Sequence, residues 1–335
     1  MEAPSDQAVP SGEPITPQPG PRNQGGFRLN RVLFGPHGFR SGWRLAVWLL
    51  AIVVAGFILS RLVGILAPPV LHSPGVRLIS GEAIRFVSVL IATALSGRFE
   101  QRTFDDYGLA IREAFRGRFW TGVLWGLASV SVLLGLIHWW HGFDFGGVAL
   151  HGENLIRYAV LWAAGFLLVG FFEESVTRAY ALFTLADGIG FWPAALVLSA
   201  IFGATHISNR GETWVGAFAA MLIGLFFCLT LRRTGSLWFA IGFHFGWDYA
   251  ESFIYSVPDS GVTITGHLLK SSFHGPGWLT GGTVGPEASA FVFVILVALF
   301  AIFSRAYRDV RFPRPGRSCP LQKPAGPSLL GIHPE

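Results

Sequence analysis

Eight long apolar stretches account for most of this chain, and they constrain its fold more than any other feature. They cover approximately residues 43–66, 80–97, 119–140, 156–185, 191–207, 213–231, 236–256 and 288–306. About 20 apolar residues in a helix cross the roughly 30 Å hydrocarbon core of a bilayer. A helix also satisfies its own backbone hydrogen bonds, which lipid cannot do. The pattern therefore predicts an all-α, polytopic membrane protein with about eight transmembrane helices.

The composition excludes the main alternatives to a membrane fold. Hydrophobic residues make up 51% of the 335 residues and charged residues only 13%, against about 25% charged residues in soluble domains. A soluble core of this size has no room for so much apolar surface. The net charge of +5 comes from basic residues beside the apolar stretches, which favours membrane topology over nucleic-acid binding.

Two polar segments flank the apolar region. Residues 1–42 are rich in Pro, Gly, Ser and Gln, and residues 311–335 are rich in Pro. Both compositions predict disordered tails. The transmembrane domain is accordingly placed at residues 43–310.

The distribution of basic residues predicts the orientation in the membrane. With the N-terminus placed in the cytoplasm, 18 Lys and Arg residues fall in the predicted inner segments and 4 in the outer loops. Cytoplasmic segments of membrane proteins carry an excess of Lys and Arg. We therefore expect both termini to be cytoplasmic.

Three of the predicted helices carry polar side chains at membrane depth. A charged group inside the bilayer costs at least a few kcal/mol, so each one needs a partner or a function. The residues are Glu173, Glu174 and Arg178 in the fourth stretch, Phe202 and His206 in the fifth, and His244 and Asp248 in the seventh.

Helical spacing predicts which of these side chains share a face. Glu174 and Arg178 are four residues apart and can pair on one side of a helix. Glu173 is rotated by about 100° from Glu174, so it can point elsewhere. His244 and Asp248 repeat the four-residue spacing.

Two carboxylates and two imidazoles suit hydrolysis. A carboxylate with a His can activate water, and a His with a second polar side chain can stabilise an oxyanion. The same groups also fit a structural hydrogen-bond network between helices or a proton relay in a transporter. The sequence contains no H-E-x-x-H, G-x-S-x-G or P-loop motif, which argues against helical zinc proteases, serine hydrolases of that type and ATP-driven pumps.

The order E-E-x-x-x-R, F-x-x-x-H and H-x-x-x-N/D on successive membrane helices resembles the CAAX protease and bacteriocin-processing family, also called the Abi family. The resemblance covers about 100 residues, a protease-like core at 157–256. The segment RRTGSLWFAIGFHFGWDY is similar to bacterial members, and so is FDDYGL ahead of the third stretch. We therefore expect the bacterial type of the family and a multi-pass protein of the bacterial plasma membrane.

The resemblance implies a glutamate-dependent intramembrane endopeptidase that cleaves a membrane-embedded or lipid-anchored protein or peptide. It implies that Glu173 is the general base and that His206 positions and polarises the water. It assigns oxyanion stabilisation to His244 and Asp248. Supporting roles fall to Glu174, Arg178 and Phe202.

Several alternatives remain open at the level of sequence. Asp248 stands where Asn is commoner in the family, and only a protonated Asp can donate a hydrogen bond. No cofactor is required on the favoured interpretation, but Glu173, His206 and His244 are also suitable zinc ligands. The alternative function is a non-catalytic membrane scaffold or a bacteriocin self-immunity protein. The outer loop at 257–287 shows no spacing typical of a functional site.

Overall fold

The computed structural model describes residues 33–35, 38–66, 74–209 and 211–312. The described residues are mostly helical. The helices, in chain order, are α1 (Ser41–Leu66), α2 (Pro74–Glu100), α3 (Gly117–Trp139), α4 (Gly152–Arg178), α5 (Tyr180–Ile189), α6 (Phe191–His206), α7 (Trp214–Thr234), α8 (Trp238–Asp248), α9 (Gly277–Thr280) and α10 (Ala290–Ala306). A π-helix, Tyr249–Ile254, directly follows α8.

Among the described residues, sheet is limited to two short antiparallel pairs. They are β1 (Phe34–Gly35) with β2 (Gly38–Phe39), and β3 (Phe143–Asp144) with β4 (Ser272–Phe273). The first pair lies inside the segment that the sequence assigns to the N-terminal tail. Residues 1–32 and 313–335, which contain most of both predicted tails, lie outside the described residues.

Each predicted apolar stretch contains helix, which confirms the helical membrane fold. Within the described residues, five helical segments are long and apolar enough to cross a membrane: Ser41–Leu66, Gly75–Glu100, Gly117–Trp139, Gly152–Ile189 and Trp214–Thr234. Helices α6 and α10 are apolar but shorter, with 16 and 17 residues. The count of eight spans stays a prediction.

Helix α1 has the surface expected of contact with lipid. None of its most apolar 18-residue window is buried in the protein. Val53 and Phe57 are each 67% exposed. Such a surface would be unfavourable in water but matches a hydrocarbon surrounding.

A buried ion-pair network holds the N-terminal end of α1. The Nε of Arg44 donates to Glu100 of α2 at 2.8 Å, and its Nη1 lies 3.2 Å from a carboxylate oxygen of Asp187 in α5. Tyr180 also donates to Glu100. Arg44, which the sequence marks as a basic residue of the inner side, therefore also fixes the packing of three helices.

Helices α3 and α8 approach closely because glycines of each helix face the backbone of the other helix. A Cβ added at Gly126 would lie 2.2 Å from the Phe243 carbonyl oxygen, and one at Gly242 would lie 2.1 Å from that of Phe119. Small residues allow such close backbone contact between membrane helices. The contact fixes the position of α8, which carries two of the predicted site residues.

Two departures from regular α-helix lie beside the predicted site. The long stretch at 156–185, expected as one helix, is divided at Ala179, whose φ and ψ are −81° and −108°. The π-helix begins immediately after Asp248. Local π-helix is frequent at functional sites, and here it turns the residues after Asp248 toward the outer loop.

Candidate active site

Glu174 is the centre of a buried network between α4 and α8. Its Oε1 accepts a hydrogen bond from Nη1 of Arg178 at 2.7 Å and lies 2.9 Å from Nδ1 of His244. Glu174 is fully buried and Arg178 is 1% exposed. The predicted pair of Glu174 and Arg178 is therefore confirmed, and the acceptor beside Nδ1 favours a proton on that nitrogen of His244.

Arg178 connects this network to two further helices. Its Nε donates to the Gly224 carbonyl of α7 at 3.3 Å. Its guanidinium lies 4.6 Å from the ring centre of Phe202 in α6 and 5.2 Å from that of Phe227 in α7. Cation–π contacts of this kind stabilise a buried guanidinium. Phe202 therefore packs on the side chain that balances the charge of Glu174.

Glu173 occupies a different environment from its neighbour Glu174. Its side chain is 27% exposed, whereas that of Glu174 is 0% exposed. Its Oε2 lies 3.6 Å from Nε2 of His244 and has no hydrogen-bond partner. This separation is too long for a direct hydrogen bond, and a bound water can join groups at such a distance.

The outward nitrogen of His244 lies between two carboxylates. Its Nε2 is 3.6 Å from Oε2 of Glu173 and also 3.6 Å from Oδ2 of Asp248. His244 and Asp248 therefore share one helix face, as their spacing predicts. We name Glu173, Glu174, Arg178, His244 and Asp248 the histidine–carboxylate cluster.

His206 is the last residue of α6. Its Nδ1 donates to the Phe202 carbonyl at 2.8 Å, and its ring packs against the Phe202 ring with a centroid distance of 4.7 Å. A carbonyl can only accept, so the proton of the neutral imidazole lies on Nδ1. The Nε2 of His206 is then an acceptor that can hold a water.

Two cavities meet at Glu173 and His206. The smaller has a volume of about 240 Å³ and is lined by Glu173, His206, His244 and Asp248, among others. The larger has a volume of about 700 Å³ and is mostly apolar, with walls from α1, α4, α5 and α6. Glu173 and His206 line both cavities, so these two side chains are accessible from either one.

The proposed zinc ligands are not gathered into a metal site. Zinc needs its nitrogen and oxygen ligands at about 2.0–2.2 Å from one point. Among the described residues, three side chains bring their ligand atoms within 4.8 Å of one another. They are Glu251, Asp259 and Glu287. Glu173, His206 and His244 do not form such a group.

The sequence-based prediction missed the acidic residues at the far end of the smaller cavity. Asp259 and Glu287, from the start and the end of the outer loop, line the same cavity as His244. The available signal was Glu251, which is the second charged residue of the seventh apolar stretch after Asp248. A charged residue at this depth also needs a partner or a function. The loop at 257–287, whose spacing shows no functional pattern, thus contributes two carboxylates to the lining of this cavity.

The enclosed position of Asp259 changes its acidity. Burial, with the nearby Glu287 carboxylate as a smaller cause, raises the pKa of Asp259 to about 8, against the opposing influence of His244. Near physiological pH, a carboxyl group with this pKa is present in both its charged and its neutral form. The loop therefore brings a titratable acid to the cavity.

The fold and the site together define a helical membrane protein with buried glutamate and histidine side chains facing internal cavities. Residues 155–250 match the family described as Type II CAAX prenyl endopeptidase Rce1-like. The match spans all seven predicted site residues, confirms the resemblance to the CAAX protease family and supports intramembrane protease activity. No curated protein and no solved structure matches the chain.

Proposed function

We propose that this protein is an intramembrane endopeptidase in which Glu173 activates the attacking water. The observation that carries the proposal is the contrast between two adjacent glutamates. Arg178 and His244 bind one oxygen of the fully buried Glu174, whereas the side chain of Glu173 is 27% exposed and lines both cavities. A general base has to lie within hydrogen-bond reach of the water, and the partly exposed side chain of Glu173, which lines both cavities, meets this requirement.

The first step is the addition of water to the peptide carbonyl. The water donates one hydrogen bond to Glu173 and the other to Nε2 of His206, which leaves a lone pair for attack. As the new C–O bond forms, Glu173 takes the proton and the carbonyl oxygen becomes an oxyanion. Collapse of the intermediate breaks the C–N bond, and the proton on Glu173 passes to the leaving amine.

His244 and Asp248 supply the donors to the oxyanion. Glu174 holds Nδ1 of His244, so Nε2 faces the space between Glu173 and Asp248. Because Nδ1 already carries a proton toward Glu174, Nε2 can donate only when His244 is an imidazolium with both nitrogens protonated, and Asp248 must be protonated in order to donate. Fixed donors aimed at a developing charge stabilise the transition state because they need no reorganisation.

The two cavities suit a membrane-associated peptide or lipid-anchored protein. The smaller cavity contains the reacting polar groups, and the apolar larger cavity receives an apolar part of the substrate beside Glu173. We place the protein in a bacterial plasma membrane with both termini in the cytoplasm. The proposed reaction requires no cofactor and no nucleic-acid partner.

The test compares protein termini in cells that produce either the native chain or Glu173→Gln at equal membrane levels. We expect new N- or C-termini with the native chain that are absent with Glu173→Gln, because the amide cannot act as a base. Loss of a general base lowers the rate by about 10²–10⁴-fold. Glu153→Gln, which removes an exposed carboxylate at the start of α4, is the matched control and should give the native pattern.

Thermal unfolding in detergent separates catalysis from folding. Glu173→Gln should unfold at the native temperature, since its side chain has no ion pair with Arg178. Identical termini from the native chain and Glu173→Gln would sink the peptidase proposal and favour a membrane scaffold or self-immunity protein. Unfolding of Glu173→Gln would instead assign the residue a structural role.

A further inference from the structure

Three carboxylates from separate segments converge at the outer-loop end of the smaller cavity. Glu251 lies on the π-helix, Asp259 follows it in the loop, and Glu287 lies in the 3₁₀ turn Pro286–Ala288. Their ligand oxygens lie within 4.8 Å of one another. We name Glu251, Asp259 and Glu287 the carboxylate triad.

Glu251 is a buried acid aimed at this point without a partner. Its exposure is 0%, and neither carboxylate oxygen has a hydrogen-bond partner. An ionised carboxylate left in this state is strongly unfavourable. One of its oxygens nevertheless lies beside the other two acids, so the position calls for a bound positive charge or a proton.

The surrounding residues hold the other two carboxylates in place. The indole Nε1 of Trp247 donates to Oε1 of Glu287 at 3.1 Å, and the backbone N–H of Ser260 donates to its Oε2 at 2.9 Å. The hydroxyl of Ser252 donates to Asp259 at 3.4 Å. Such supporting hydrogen bonds orient the ligands of metal sites.

Among the described residues, no basic side chain contacts the triad. Within the part of the chain that the structure describes, no Lys, Arg or His nitrogen lies within 4.0 Å of a carboxylate oxygen of Glu251, Asp259 or Glu287. Protons could neutralise the acids, but three convergent carboxylates with supporting donors also form an oxygen cage for a cation. The unpartnered, fully buried Glu251 is the observation that distinguishes this site from an ordinary acidic surface.

We infer that the carboxylate triad binds a hard divalent cation, Ca²⁺. Carboxylate oxygens are the ligands that Ca²⁺ prefers, and the absence of Cys and His from the triad disfavours zinc. Mg²⁺ keeps several of its waters and is usually bound through one or two carboxylates, whereas Ca²⁺ takes six to eight oxygen ligands in a flexible arrangement. Three carboxylates from three separate segments therefore suit Ca²⁺ better.

The cation would connect three segments of the chain through their side chains. These are the π-helix that continues α8, the start of the outer loop and the 3₁₀ turn before α10. Trp247 links the ion to the smaller cavity, because it lines that cavity and donates to Glu287. Bound Ca²⁺ would thus fix the part of the cavity wall that Trp247, Asp259 and Glu287 form.

The experiment is calorimetric titration of the full detergent-solubilised chain with CaCl₂ after treatment with chelator. We expect saturation at one Ca²⁺ per chain and a rise in Tm that saturates over the same concentrations. Glu251→Gln and Asp259→Asn should each lower the affinity by at least tenfold. Glu153→Gln removes an exposed carboxylate outside the triad and should bind Ca²⁺ as the native chain does.

Several results would overturn the inference. One is the absence of saturable Ca²⁺ binding to the native chain, which needs no variant to fold. A second is binding that both triad variants retain. A third is binding of Mg²⁺ or Zn²⁺ without Ca²⁺. If Glu251→Gln raises Tm equally with and without Ca²⁺, the triad holds protons and not a cation.

Discussion

The histidine–carboxylate cluster and the carboxylate triad both contribute side chains to the lining of the smaller cavity, but their charges are balanced differently. In the first, Arg178 and His244 stand beside Glu174 at hydrogen-bond distance. In the second, Glu251 is fully buried and has no partner. Both sets sit where unbalanced charge is costly.

The difference shows two ways of keeping acids inside a membrane protein. A basic side chain on a neighbouring helix gives permanent compensation, so the position of the acid becomes part of the fold. An acid without such a partner needs a bound proton or a bound cation to neutralise its charge, and either of these can dissociate. The first arrangement suits a preorganised reaction site, and the second suits a site that responds to its surroundings.

The largest expected effect comes from removing the permanent cation. Arg178→Met leaves Glu174 buried without its ion pair, and breaking a buried pair from one side costs about 3–5 kcal/mol of the free energy of unfolding. We expect little folded protein, measured as Tm in detergent and as the amount in the membrane.

Arg85→Met is the matched control for this change. Arg85 pairs with Glu82 at 2.6 Å, as their spacing predicts, but its side chain is 61% exposed. Loss of an exposed pair costs at most about 1 kcal/mol. Equal losses from Arg178→Met and Arg85→Met would contradict the central role of the buried pair.

A second test asks which chemical form is needed at position 248. Asp248→Asn keeps a hydrogen-bond donor and should retain activity within about tenfold, whereas Asp248→Leu should lose about 10²–10³-fold. The measurement is the cleavage rate of a substrate found by the comparison of termini. Loss of activity in Asp248→Asn, with its Tm unchanged, would exclude a simple donor role.

A third test weakens the triad without changing a carboxylate. Trp247→Phe removes the indole donor to Glu287 and should lower Ca²⁺ affinity by about tenfold, the lower end of the effects seen for groups that orient metal ligands. Titration calorimetry measures the change. Trp125→Phe, at an indole that packs against Phe239 and Phe303, should leave the affinity unchanged.

The smallest effect is a pH dependence in the presence of chelator. Burial and Glu287 raise the pKa of Asp259 from 3.8 to about 8, so the folded state binds this proton more tightly than the unfolded state does. Stability from this group is then present at low pH and declines as the pH rises from about 4 to about 8.

The expected change is a decrease of a few degrees in Tm between pH 6 and pH 8.5. Asp259→Asn should flatten this part of the profile, because the amide does not titrate. An increase in Tm over this range, or the same slope in Asp259→Asn, would show that another group controls the pH dependence.

Local periodicity was enough to predict the helices and the pairs within them. Apolar stretches of about 20 residues determine a helical membrane fold because only internally bonded backbone is stable in lipid. Four-residue spacing places Glu174 beside Arg178 and Phe202 beside His206, and both contacts occur. The order of the three motifs also identified the family that matches residues 155–250.

Tertiary packing alone decided which side chains meet between helices. The 2.9 Å contact of Glu174 with His244 depends on how α4 and α8 pack, and the position of α8 depends in turn on the close glycine contacts with α3. The triad joins residues up to 36 positions apart through a π-helix and a loop. Helical spacing determines directions around one axis, but distances between axes and the course of loops follow from the packing of the whole bundle.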